Sequence, residues 1–147
     1  MAYQATEIQM VAPCGINCGE CKAHQDDPKM IEFFVARGIK RELLPCPGCR
    51  ALEGHCPFIP AQCETYRCVT DHKVDFCFQC PDFPCRLLNP CTDRADILPH
   101  NTKVFNLCCI EHQGLQRFLE RHDDINRRYF KGKMVIGGGP QIDSPEY

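Results

Sequence analysis

CPGCRALEGHCPFIPAQCETYRCVTDHKVDFCFQCPDFPC, residues 46–85, carries eight cysteines in forty residues. Two CxxC pairs, Cys46/Cys49 and Cys77/Cys80, stand at either side of Cys56, Cys63 and Cys68, and Cys85 lies just beyond. A CxxC turn sets two thiolates a few ångströms apart, so two such turns can close a tetrahedral site around one soft ion. The spacing predicts metal binding before it predicts any fold.

Upstream, Cys14-Gly-Ile-Asn-Cys18-Gly-Glu-Cys21 adds three more cysteines. Gly15 and Gly19 are expected to permit left-handed turns that aim backbone amides at thiolate sulfur. CxxxCxxC is also the cluster spacing of radical S-adenosylmethionine enzymes. Those need a sizeable βα barrel, and the chain beyond Cys21 is short and lacks repeated βα units. A fourth protein ligand is therefore expected in place of an open iron.

Composition explains why cross-links are needed. Cysteine is 14 of 147 residues, tryptophan is absent and twelve prolines break the chain into short pieces. Such a chain has little aliphatic and aromatic material to offset the entropy of ordering its backbone. Metal and disulfides are the two candidates. MAYQATEIQMVAPCG lacks the basic and apolar regions of an export signal. A cytoplasmic location with reduced thiols is the expectation, and metal is favoured over disulfides. No apolar run approaches the roughly 18 residues of a membrane span, so no membrane partner is expected. A formal net charge of −2 gives no general attraction to nucleic acid. Each four-thiolate zinc site would add about −2 more, with Lys22, Arg50, Arg67, Lys73 and Arg86 nearby as counter-charges.

The predicted fold class is a small, loop-rich, metal-stabilised α+β chain, with cysteine knuckles and short hairpins packed on a few helices. Residues 1–92 form the cysteine-rich region and 93–147 a helical segment with a short strand and a glycine-rich tail, together one compact unit. A short strand is expected through Ile8 to Val11. A helix capped by Asp26 or Asp27 opens at Pro28, carries Met30, Ile31, Phe33, Phe34 and Val35 as a core face, and stops at Gly38. A further turn spans Ile39 to Leu44. Helical turns are expected around Cys63 to Thr70 and after Pro84, the latter ended by Asn89-Pro90. Residues 93–130 read as helical, with Asn101 or Thr102 as cap and the apolar face of Val104, Leu107, Cys108 and Ile110 continued by Leu115, Phe118 and Leu119 after Gly114. In the tail, an apolar strand near Met134 precedes a glycine run without a phosphate-binding pattern.

The order of the boxes resembles the cysteine-rich family catalogued as domain of unknown function 3795. The similarity rests on CGINCGEC (14–21), CPGC (46–49), CETYRC (63–68) and CFQCPDFPC (77–85), and covers about residues 10 to 90. CPDFPC is the most specific part. NTKVFNLCCIEHQGLQRFLE also looks similar, whereas the chain ends in KGKMVIGGGPQ where some relatives carry another CxxC ribbon. The resemblance implies metal binding and no assigned reaction.

The candidate ligands are Cys14, Cys18, Cys21, Cys46, Cys49, Cys56, Cys63, Cys68, Cys77, Cys80 and Cys85. One expected grouping joins Cys46/Cys49 to Cys77/Cys80 and gives the Cys14/Cys18/Cys21 triplet a fourth ligand from Cys63, Cys68 or Cys85. Sequential and cross-braced arrangements fit the spacing equally. The remaining thiols could hold a third ion with His24, His55 or His72. Cys91, Cys108 and Cys109 read as small buried hydrophobes. Zinc at two or three sites is favoured. An iron–sulfur cluster is the alternative: Cys80-Pro81 and the CxxxCxxC box suit one, but the ferredoxin run CxxCxxCxxxCP is absent.

These residues fit three functions. The first is an interaction module of unknown partner, stiffened by structural zinc, for which a protein is the expected partner. Nucleic acid is the weaker choice, through Arg127, Arg128, Lys131 and Lys133 beside Tyr129 and Phe130. The second is an iron–sulfur protein with a redox or electron-transfer role. The third, least favoured, is an enzyme with an open metal site and a carboxylate such as Asp75 or Asp82.

Overall fold

The computed structural model describes residues 3–88, 101–135, 137 and 139–143. Among them the chain is mostly helical: α1 (Ala5–Gln9), α2 (Pro28–Val35), α3 (Glu64–Asp71), α4 (Thr102–Gln113) and α5 (Leu115–Lys131). Single 3-10 turns sit at Cys18–Glu20, Arg41–Leu43, Cys77–Gln79 and Arg86–Leu88. One antiparallel pair, β1 (Met134–Val135) with β2 (Gly139–Pro140), is the sheet content of the described residues.

The expected hairpins among the cysteine knuckles are not found there. Prolines and turn-forming CxxC pairs leave no run long enough to pair, and between the box and its lead-in the ladder is a single isolated bridge, Val11 with Asn17. The strand expected through Ile8 to Val11 is corrected as well, since α1 runs to Gln9. The α+β assignment thus gives way to a predominantly helical chain with irregular, cysteine-rich connections. The end of the turn at Asn89-Pro90 and the region around Cys91 lie outside the described residues.

Helix ends follow their capping chemistry. Asp27 accepts the Lys29 amide at 2.9 Å with Pro28 in the first turn of α2. Asn101 Oδ1 accepts the Val104 amide at 3.3 Å, its Nδ2 donates to the Leu88 carbonyl at 2.7 Å, and its own amide donates to the Tyr129 hydroxyl at 2.8 Å. One cap therefore ties α4 to the 86–88 turn and to α5. Gly114, at φ +88°, ends α4 and opens α5.

The core lies between the α4/α5 pair and the cysteine region. Val11, Phe76 and Leu107 have no exposed surface, and Leu88, Ile110, Leu115, Phe118 and Ile125 are nearly as buried. Cys14, Cys18 and Cys77 belong to the same cluster. The box docks on α4 closely: Asn106 Nδ2 donates to the Gly15 carbonyl at 2.8 Å. A Cβ at Gly15 would stand 2.6 Å from the Lys103 carbonyl oxygen and 2.9 Å from Leu107. Of the two box glycines, Gly15 has positive φ (+89°). Gly19 serves close packing instead, a Cβ there meeting the Met10 methyl at 2.6 Å.

The expectation that α2 is a core element is corrected. None of its residues is buried, and Phe33 is 42% exposed. Its aromatics pack among themselves and on the 56–60 loop, with Phe33–Phe34 at 5.4 Å and Phe34–Phe58 at 5.2 Å. Arg37 covers the Phe33 ring.

Candidate metal centre

Four cysteines line one small cavity. Cys68 is carried by α3, Cys77 and Cys80 flank a 3-10 turn, and Cys85 precedes the 86–88 turn. All four line a cavity of about 20 Å³, together with His72 and Asp82. That is the space of about one water-sized sphere. Burial, and then Cys14, Cys85, Cys68 and Cys80, push the Cys77 thiol up to about 12. Cys68 is also raised, by desolvation first and then by Cys80 and Cys85. Thiols so placed hold their protons until a cation replaces them. His72 Nδ1 donates to the Cys68 carbonyl at 2.8 Å and lies 3.6 Å from its sulfur. His72, Cys80 and Asp82 each bring a ligand atom within 4.8 Å of the other two.

A second neighbourhood gathers the box and the first CxxC pair. Burial pushes Cys49 up to about 12, followed by Cys14, Cys18, Cys63 and Cys56. Cys18 is raised by burial and by Cys21 and Cys46, against the Cys49 amide, which donates to its sulfur at 3.5 Å. Cys46 and Cys56 are raised by burial too, each opposed by an amide two residues on, those of Gly48 and Phe58. Amides aimed at sulfur favour the thiolate, as they do around bound metal. Arg50 adds a fixed cation. Its Nε donates to the Val11 carbonyl at 2.8 Å, its NH2 to the Asp75 carbonyl at 2.7 Å, and it feels Cys49 and Cys18. The counter-charge expected near the thiols is met by this side chain.

The two CxxC pairs therefore sit in different neighbourhoods. Cys14 acts on both Cys49 and Cys77, and so lies electrostatically between them. His24 Nδ1 donates to the Cys46 carbonyl at 2.7 Å and His55 Nδ1 to the Leu52 carbonyl at 3.1 Å. Cys109 is buried, its thiol pushed up to about 11 by desolvation, whereas Cys108 is exposed. The small-hydrophobe expectation thus fits Cys109 and is corrected for Cys108. None of the thirteen described cysteines is in a disulfide.

Elsewhere two arginines of α5 share one carboxylate. Asp124 accepts from Arg127 at 2.5 Å and from Arg128 Nε at 3.0 Å. A further group escaped sequence reasoning altogether: Glu20, His122 and Asp123, brought together from the box and α5. Burial pushes the Glu20 carboxyl up while His122 draws it down. No spacing rule links residues so far apart along the chain. Among the described residues, no helix is long and apolar enough to cross a membrane.

The thiol-rich neighbourhoods and the mixed groups around them suggest a metal site. Neither curated proteins nor solved structures gave a match to the chain. A family model described as protein of unknown function (DUF3795) matches residues 10–90, which hold every box of the cysteine ladder. This chain, a cysteine-rich protein with candidate metal-ligand groups, belongs to that family.

Proposed function

We propose that the chain is a zinc-binding protein whose ions are structural, and that it serves as a small interaction module held rigid by them. Cys68, Cys77, Cys80 and Cys85 take one ion. Cys14, Cys18, Cys21, Cys46, Cys49, Cys56 and Cys63 supply the remaining site or sites. The observation that carries the reading is four thiols lining a cavity of about 20 Å³. Zinc bonds to sulfur at about 2.3 Å in closed tetrahedral sites, and needs no redox partner.

The iron–sulfur reading draws on the second neighbourhood. It has more thiols than one ion uses, and amides donate towards Cys18, Cys46 and Cys56, as around cluster sulfurs. Anaerobically prepared protein analysed for zinc and iron per chain decides between them. Colourless protein with two or three zinc ions per chain is the expected result. Cys77→Ser should lower the zinc content by about one ion per chain. Brown protein holding iron, or a Cys77→Ser variant with undiminished metal, overturns the zinc assignment.

A further inference from the structure

One cluster of ligating groups joins the cysteine box to α5 through oxygen and nitrogen and includes no thiol. Glu20 occupies the 3-10 turn between Cys18 and Cys21, and His122 and Asp123 are consecutive on α5. His122 donates Nδ1–H to the Leu119 carbonyl at 2.7 Å, which leaves the lone pair of a neutral ring on Nε2. That nitrogen stands 3.4 Å from Glu20 Oε1 and 3.2 Å from Asp123 Oδ1. Three acceptors then face one another, and the arrangement calls for a cation among them.

A proton on Nε2 is one such cation, but it would draw a carboxylate to about 2.7–2.9 Å. Both distances here are longer. Around a zinc-class ion with bonds to nitrogen and oxygen of about 2.0–2.2 Å, tetrahedral ligands stand about 3.3–3.6 Å apart, close to the two spacings. The surrounding hydrogen bonds point the same way. A ring N–H given to a backbone carbonyl, and a carboxylate held by a second group, are what orient metal ligands. Glu20 Oε2 is held by Asn126 Nδ2 at 3.0 Å.

We propose that Glu20, His122 and Asp123 bind one divalent cation of the zinc class through one nitrogen and two oxygens, with water completing the coordination. Asp123 is 94% exposed on its side chain, so the site opens to solvent and its ion exchanges. Its donors are harder than thiolates, which lets cobalt or manganese enter without displacing thiol-bound zinc. The bound ion fastens the cysteine box to α5.

Zinc-loaded protein, gel-filtered to remove loosely held metal, is titrated with cobalt(II) while histidine ring signals are followed by NMR. The thiol-bound zinc is counted separately, so the outcome does not depend on how those sites are assigned. The expected result is one equivalent of cobalt bound, with the His122 ring shifted and broadened and the His55 ring unmoved. His122→Ala and Glu20→Gln should each weaken cobalt binding more than about tenfold. An unmoved His122 signal, an Nε2 that stays protonated throughout, or undiminished uptake by folded variants overturns the proposal. Should the variants fail to fold, the wild-type titration decides alone.

Discussion

Asp124 shows how single charges are settled on this chain. Hydrogen bonds from Arg128 and then Arg127 hold its carboxyl below the ordinary aspartate value. A depressed folded-state value means that its contribution to stability is present above the unfolded value near 4 and is lost as pH falls through the folded one. Asp124→Asn should therefore melt below wild type at about pH 6, with the difference closing as the pH falls below the unfolded value and through the folded one; parallel melts down the acid range check it. The same carboxylate is shared by Arg127 and Arg128, two members of the basic run read in the sequence. At this scale the cysteines were legible, since a thiol ladder at these spacings has few other uses. Their grouping was not, because it depends on where Cys14 stands relative to Cys49 and Cys77. Nor was the Glu20–His122 approach, which joins the box to a helix far along the chain.

Caps made the helices readable as elements: Asp27 and Pro28 at α2 and Asn101 at α4 act locally, and local chemistry survives folding, whereas the division into α4 and α5 at Gly114 was not read. What an element packs against is a tertiary matter. The apolar face of α2 promised a core helix, yet its aromatics meet one another and Phe58 at the surface. The missing hairpins in the cysteine region reflect the same limit, because alternation says nothing once turns take every few residues. Two glycines separate local strain from packing. Gly38, at φ +91°, has nothing within 4 Å of an added Cβ, so Gly38→Ala should cost about 1 kcal/mol from backbone strain. Gly15→Ala adds a collision with the Lys103 carbonyl and Leu107, and should cost about 2–4 kcal/mol. Denaturant melts of the two zinc-loaded variants test the ranking.

For the molecule as a whole, the buried cluster mixes Phe76, Leu107, Ile110 and Phe118 with Cys14, Cys18 and Cys77. On the zinc reading, sulfur that holds metal is part of the interior, and removing the ions disturbs packing as well as coordination. Reduced protein stripped by a chelator should lose its cooperative melt or fall by more than about 10 °C. A sharp transition at nearly the original temperature would show that the apolar interior suffices alone. The contact of Gly15 with α4 has a consequence for biogenesis. All eleven ladder thiols leave the ribosome before the helix that Gly15 rests on has emerged. Until Lys103 and Leu107 arrive, Gly15 lacks the surface it packs on, and the thiols of the box meet oxidants and soft ions before that contact forms. On the zinc reading, metal insertion is then best timed to the completion of α4, and uptake by newly made protein should become faithful only once that helix has left the ribosome.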